Sequence, residues 1–210
     1  MPKVSSVCLV LALAVTPEHS GQEAMYLRLN DVLPPAARQQ APLRTTQPAR
    51  SAAKRDGSHD FDFELGTWNV QNSRLLHPLS GSGEWIKFTG TSRASRIFNR
   101  GAVLVELESD APTGHGEGLL LRLYNPESHQ WSISFANAAG GGLGQAQIGE
   151  FRDGRGEFYG QDVVNGRTVY ARSIISNITP SSFTLEQAYS DDGGRTWETN
   201  WISRHTRLSR

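Results

Sequence analysis

Gly149-Glu150-Phe151-Arg152-Asp153-Gly154-Arg155-Gly156-Glu157-Phe158-Tyr159, followed shortly by Asn165-Gly166-Arg167, decides the fold of this chain. Asp-Gly and Asn-Gly are the dipeptides that accept positive φ at both centres of a two-residue turn whose twist matches the flanking strands. The flanks are aromatic and β-branched, which favours pleated backbone. Two tight hairpins in succession, sharing their middle strand, therefore predict an antiparallel meander.

The same texture extends outward in both directions. Turn residues at Asn99-Arg100-Gly101, Asn125-Pro126 and Asp192-Gly193-Gly194 bound further runs. Ten strands are predicted, near 67–76, 84–97, 102–108, 117–124, 130–136, 146–151, 156–162, 167–178, 182–190 and 196–207. Several alternate: Trp131, Ile133 and Phe135 are apolar with Ser132 and Ser134 between them. No amphipathic helix is apparent after His59. A meander of eight to ten strands tends to close on itself, because closure removes exposed edges. The expectation is an all-β chain, a single antiparallel up-and-down barrel over residues 57–210. A β-sandwich is the structural rival.

The N-terminal part reads differently. Lys3 precedes the apolar run Val7 to Val15, which is too short to span a bilayer and has the form of an export signal. Residues 1–24 are assigned to that signal, and the expected location is periplasmic or secreted. No integral membrane segment is expected in the mature chain. Residues 25–56 are rich in Pro, Ala, Gln and Arg and read as a disordered linker. The single cysteine, Cys8, lies in the signal, so neither a disulfide nor a thiolate metal site is expected. Lys plus Arg equals Asp plus Glu at 21 each, which argues against a nucleic-acid partner.

Two motifs carry structure. Gly66-Thr67-Trp68 heads the strand series and resembles the Gly-x-Trp of lipocalin-like (calycin) proteins. That resemblance implies Trp68 as the plug of one barrel end, with Arg204 or Arg207 packed over its ring as a cation on an aromatic face. Ser190-Asp191-Asp192-Gly193-Gly194-Arg195-Thr196-Trp197 fits the Asp-box hairpin pattern, in which Asp192 accepts turn amides, Gly194 takes the turn and Trp197 packs underneath. One copy cannot build the blades of a propeller, so it signals a hairpin and not sugar hydrolysis.

Together with Leu121-Arg122-Leu123-Tyr124-Asn125-Pro126, Gln130-Trp131-Ser132 and the hairpins quoted above, these motifs make the chain from Asp56 onward resemble the bacterial DUF1579-type, lipocalin-like (calycin) proteins. The resemblance implies a calycin barrel behind a signal peptide. It implies no activity and supplies no catalytic residues.

The zincin, nucleophile-elbow and phosphate-loop patterns are absent, and neither a cofactor nor a metal is expected. The informative polar residues lie within strands. Arg122 sits among Leu119, Leu120, Leu121 and Leu123, where an inward charge needs a carboxylate or an anionic ligand as its partner. Trp131, Phe135, Tyr159 and Trp201 are candidate walls of a ligand pocket, with Arg122, Glu157 and Glu186 as its polar centre. Which of these point inward depends on register, since a slip of one residue reverses every face. Three functions stay open: a barrel that binds a small hydrophobic or amphipathic molecule, an envelope interaction protein with a filled barrel, or an enzyme using a carboxylate, Tyr and Arg set. The sequence leaves the oligomeric state open.

Overall fold

The computed structural model of the protein describes residues 55–98 and 101–209. The expected signal (1–24) and nearly all of the expected linker (25–56) lie outside the described residues. The ten strands are β1 (Gly66–Leu75), β2 (Trp85–Arg96), β3 (Ala102–Ala111), β4 (Gly114–Asn125), β5 (Gln130–Asn137), β6 (Gln147–Arg152), β7 (Arg155–Val164), β8 (Arg167–Ser176), β9 (Ser182–Ser190) and β10 (Glu198–Ser209). Each pairs antiparallel with its sequence neighbours, and β1 closes on β10 to complete a barrel. The up-and-down barrel is the architecture the turns predict, and the sandwich is excluded.

The two hairpins that open the argument form as their chemistry requires. Arg152 faces Arg155 and Val164 faces Arg167 across two-residue loops. Asp153, Gly154, Asn165 and Gly166 all have φ between 50° and 76°. β3 and β4 run longer than the sequence suggests and meet at Pro112-Thr113, with Ala111 opposite Gly114.

One end of the barrel is sealed by the segment that leads into β1. Asp62–Glu64 form a 3-10 turn. This turn places Phe61 and Phe63 inside the barrel floor. Phe61 meets Trp131 edge-on at 4.9 Å and Phe151 at 5.0 Å, and Phe63 meets Phe183 at 5.2 Å. Trp68 completes the plug. It is fully buried, lies edge-on to Phe183 at 4.9 Å, and its Nε1 donates to the Glu64 carbonyl at 2.6 Å. Its cationic cover is Arg207, whose guanidinium carbon stands 4.0 Å from the ring centroid. Arg207 also donates to the carbonyls of Leu65, at 2.7 Å, and of Phe63. Arg204 is not the cover: it is exposed and pairs across to Gln71 and Thr184 on the outer face.

The wall has one short seam. Only three residue pairs, Trp131–Gly149, Ser132–Ile148 and Ile133–Gln147, join β5 to β6. β6 is the shortest strand, and Gly149 is the reason it can sit where it does. A Cβ there would lie 1.8 Å from the Glu157 carbonyl oxygen, so only glycine lets β6 press this closely on β7.

Candidate functional site

Antiparallel partners share a face, so the register sorts every strand residue into lumen or exterior. Starting from the buried Trp68, the lumen set includes Val70 and Asn72 of β1, Val105 and Leu107 of β3, Leu120 and Arg122 of β4, Trp131, Ile133 and Phe135 of β5, Phe158 of β7, Leu185, Gln187 and Tyr189 of β9, and Trp201, Ser203 and His205 of β10. Burial falls off along this set on β3, β4, β5, β9 and β10, whereas on β8 the lumen-facing Ala171 and Val169 stay buried toward the end opposite the plug. Trp68, Val105, Trp131 and Phe158 are sealed, Leu107, Leu120, Gln187, Tyr189 and Trp201 are partly exposed, and Phe135 is 47% exposed. A ten-stranded barrel has a radius of about 10 Å at ~4.8 Å strand spacing and about 40° tilt, wider than an eight-stranded barrel that side chains just fill. The partly exposed residues of this set surround the end of the barrel opposite the aromatic floor, its vestibule.

Its two sides differ in chemistry. On β9, β10 and β1, Trp201 Nε1 donates to Ser203 Oγ at 2.8 Å, and Ser203 Oγ donates to Asn72 Oδ1 at 2.7 Å. Asn200 Nδ2 donates to Gln187 Oε1 at 3.1 Å. Tyr189 OH donates to Asp162 Oδ2 at 2.7 Å, and burial together with that bond pushes the Tyr189 phenol up. A bulge between Thr199 and Trp201 lets both Asn200 and Trp201 join this network. Five strands round the ring, β3, β4 and β5 present Leu107, Leu120 and Phe135. One side carries amides and hydroxyls together with the Asp162 carboxylate and the Arg74 guanidinium, and the facing side is apolar.

Arg122 points inward from its leucine-rich strand, and its partner is Glu64 of the plug. Nη2 donates to Glu64 Oε1 at 2.8 Å, with both side chains almost wholly buried. The guanidinium carbon also stacks 4.1 Å above the Phe61 ring. Burial pushes the Glu64 carboxyl up, against the pull of Arg122. Arg122 is 0% exposed, so its charge is spent on the plug and offers no surface to a ligand. Trp131 is likewise sealed, its Nε1 donating to the Gly57 carbonyl at 2.9 Å. His205 lies beneath the vestibule, stacked on Phe183 at 4.0 Å. Burial and then the Arg122 charge hold its imidazole down at about 3, so it is neutral at ordinary pH.

The remaining expected pocket residues fall on the other side of the wall. Glu157 pairs with Glu150, Tyr159 with Ile148, and Glu186 with Ile202, all on the exterior. Glu157, Tyr159 and Arg122 are therefore not one set, because the sheet separates them. Phe135 and Trp201 are the two expected wall residues that reach the vestibule. Glu64 is the partner the sequence hides. It lies in a run, Phe61 to Leu65, that alternates like a strand and so gives no sign that its carboxylate turns inward. The Asp-box hairpin forms outside the barrel, with Asp192 Oδ1 accepting from the amides of Arg195 and Thr196 at 3.0 Å and Oδ2 from Thr196 Oγ1 at 2.7 Å. These bonds hold the Asp192 carboxyl well below the usual range. Trp197 Nε1 donates to the Gly194 carbonyl at 3.1 Å. Among the described residues no group of three or more His, Cys, Asp or Glu could hold a metal ion.

A closed floor and next-neighbour connections make the chain a ten-stranded, antiparallel up-and-down barrel. No protein-family model and no curated protein matches it. Among solved structures it is similar to the S-type phycobiliprotein lyase CPES of Guillardia theta, at 13% identity over 71% of this chain and 92% of that one, with a TM-score of 0.49. It is also similar to a redesigned β-barrel, mFAP0, bound to DFHBI, at 10% identity over 69% and 99%, TM-score 0.39. A third is a de novo designed fluorescence-activating β-barrel, at 10% identity over 73% and 99%, TM-score 0.38. At these values the likeness assigns neither a ligand nor a residue role to this chain.

Proposed function

We propose that the protein binds a small hydrophobic or amphipathic molecule in the vestibule of its barrel, and that it does so as an exported, DUF1579-type protein. The observation that carries the binding reading is the burial gradient. On the lumen face of β5 and β10, Phe135 and Trp201 stay partly exposed above a floor that is already packed. The chemistry of the two sides selects the ligand class. An apolar body lies against Leu107, Leu120 and Phe135, and a hydroxyl, carbonyl or amide faces Gln187, Tyr189 and Asn200. The reading of export rests on Lys3 and the apolar run Val7 to Val15.

Titrating the full chain with alcohols and amides of graded chain length, followed by tryptophan fluorescence, tests the binding reading. Saturable binding is expected. Phe135→Asp, a change at a half-exposed position, is expected to weaken it about tenfold or more while the melting temperature holds. No saturable binding across the series, or binding indifferent to Phe135→Asp, removes the vestibule as the site. Fractionation of cells expressing the chain with a C-terminal tag tests export, and a full-length cytoplasmic product would refute it.

A further inference from the structure

We propose that the exterior of the barrel carries a second site, a groove over β6 that takes a neutral, hydroxyl-rich ligand, an uncharged carbohydrate chain. The groove is a depression of about 420 Å³ on β5, β6 and β7, with Gly149 in its lining and Ile148, Glu150, Glu157 and Tyr159 along its sides. It arises at the short β5–β6 seam, where the glycine brings β6 hard against β7. A second depression of about 400 Å³ shares Glu150 and Arg152 with it and runs on toward Arg55 and Asp60. The two depressions adjoin at Glu150 and Arg152.

The charges in these depressions are placed in an unusual way. Glu150 faces Glu157 directly across the strands, and Arg152 faces Arg155. Like charges opposite one another are unfavourable on a bare wall. Each is relieved along its own strand, Arg152 by reaching Glu150 and Arg155 Nε by donating to Glu157 Oε1 at 2.8 Å. Arg55 and Asp60 are paired as well, at 2.7 Å. Over the first depression the sum is a surface without net charge but dense in groups that accept and groups that donate, and Asp153 adds one negative charge to the second. Such a surface selects against ions of either sign, because each carboxylate or guanidinium would lose its partner. It favours a ligand that donates and accepts at many points while carrying no charge, which is the chemistry of a polyol.

The aromatic component points the same way. Tyr159 is 46% exposed, yet its hydroxyl is committed as a donor to Glu157 Oε2 at 2.9 Å. What it offers outward is the ring. That ring is held edge-on against Trp197 at 6.1 Å, and Trp197 is in turn stacked under Arg172 at 4.6 Å. A fixed, exposed aromatic face bordered by carboxylate, guanidinium and the Gln130 amide matches the apolar C–H face and hydroxyl rim of a pyranose. Ile148, exposed beside it, extends the apolar floor.

The test uses three probes of matched length on the full chain by isothermal titration calorimetry: chitohexaose, which is neutral, its deacetylated cationic counterpart, and the anionic hexamer of galacturonic acid. The expected order puts the neutral hexamer ahead by about tenfold or more, with little dependence on salt. Tyr159→Ala, a half-exposed position, is expected to abolish that preference. Phe135→Asp, on the lumen face, is expected to leave it unchanged, which separates this site from the vestibule. The proposal is overturned if the neutral hexamer does not bind, if either charged hexamer binds more tightly, or if Tyr159→Ala has no effect. Tight, salt-sensitive binding of a charged peptide in the same groove would also overturn it.

Discussion

Four buried side chains decide how the floor behaves. Trp68 is sealed under Arg207, and truncating a large aromatic in such a place costs about 3–5 kcal/mol. Trp68→Ala should therefore lower the urea midpoint sharply, whereas Arg204→Ala on the outer face should move it little. Glu64 and Arg122 behave as a unit. Glu64→Gln strands a guanidinium at 0% exposure and should cost about 3–5 kcal/mol. The pair is satisfied only in part, since Arg122 Nε and Nη1 and Glu64 Oε2 have no hydrogen-bond partner among the described residues. The joint replacement Glu64→Leu with Arg122→Met should then be neutral or stabilising by about 1–4 kcal/mol, a double-mutant cycle read by chemical denaturation. His205 sets a pH dependence. Its imidazole is depressed from 6.5 to about 3 in the folded protein. A depressed value means the unfolded chain binds the proton first, so stability is complete above about 6.5 and is lost as pH falls toward 3. The loss for one proton is about 1.4 kcal/mol per pH unit within that window. Comparing urea midpoints across it, the native protein should lose more than His205→Gln, and parallel curves would show that His205 does not titrate in this way.

At the scale of elements, the turns were readable and the faces were not. Asp153-Gly154 and Asn165-Gly166 name their own geometry, because few residues accept φ near 50–76° twice in succession. Gly166→Ala, at φ 75°, should cost about 1–2 kcal/mol, measurable as a fall in the urea midpoint; no change would mean the turn relaxes to another type. The Asp-box hairpin was equally legible, since its bonds are local. Lumen and exterior were not, because parity follows from pairing and pairing is a property of two strands. Glu157 and Tyr159 alternate as well as Phe135 does, yet they fall on opposite sides of the wall. The 3-10 turn that joins Trp68 in the plug was missed for a related reason. Phe61-Asp62-Phe63-Glu64-Leu65 has the period of a strand, and it becomes a 3-10 turn only because the floor of a closed barrel is there to receive its two rings. Glu64 turned inward with them, so the partner of Arg122 was out of reach of any local pattern.

For the whole molecule the governing fact is closure. β1 pairs with β10, from Thr67–Ser209 to Arg74–Trp201, so the sheet has no complete form until the last strand arrives. Non-local pairing of this kind places folding in the range of milliseconds to seconds. The plug sharpens the point, because it is made before everything that encloses it. Phe61 and Phe63 leave the ribosome ahead of Trp131, Phe151 and Phe158, and Phe183 follows some 120 residues after Phe63, on the order of ten seconds at ordinary rates of synthesis. Throughout that interval two phenyl rings and a carboxylate destined for the interior stand in water. Chains arrested on the ribosome before β9 should therefore be cleaved readily by protease and captured by chaperones, and resistance should appear only once β10 has cleared the exit tunnel. A nascent chain that cannot fold while it is being made stays threadable, so the seal at the bottom of the finished barrel doubles as a delay built into its birth.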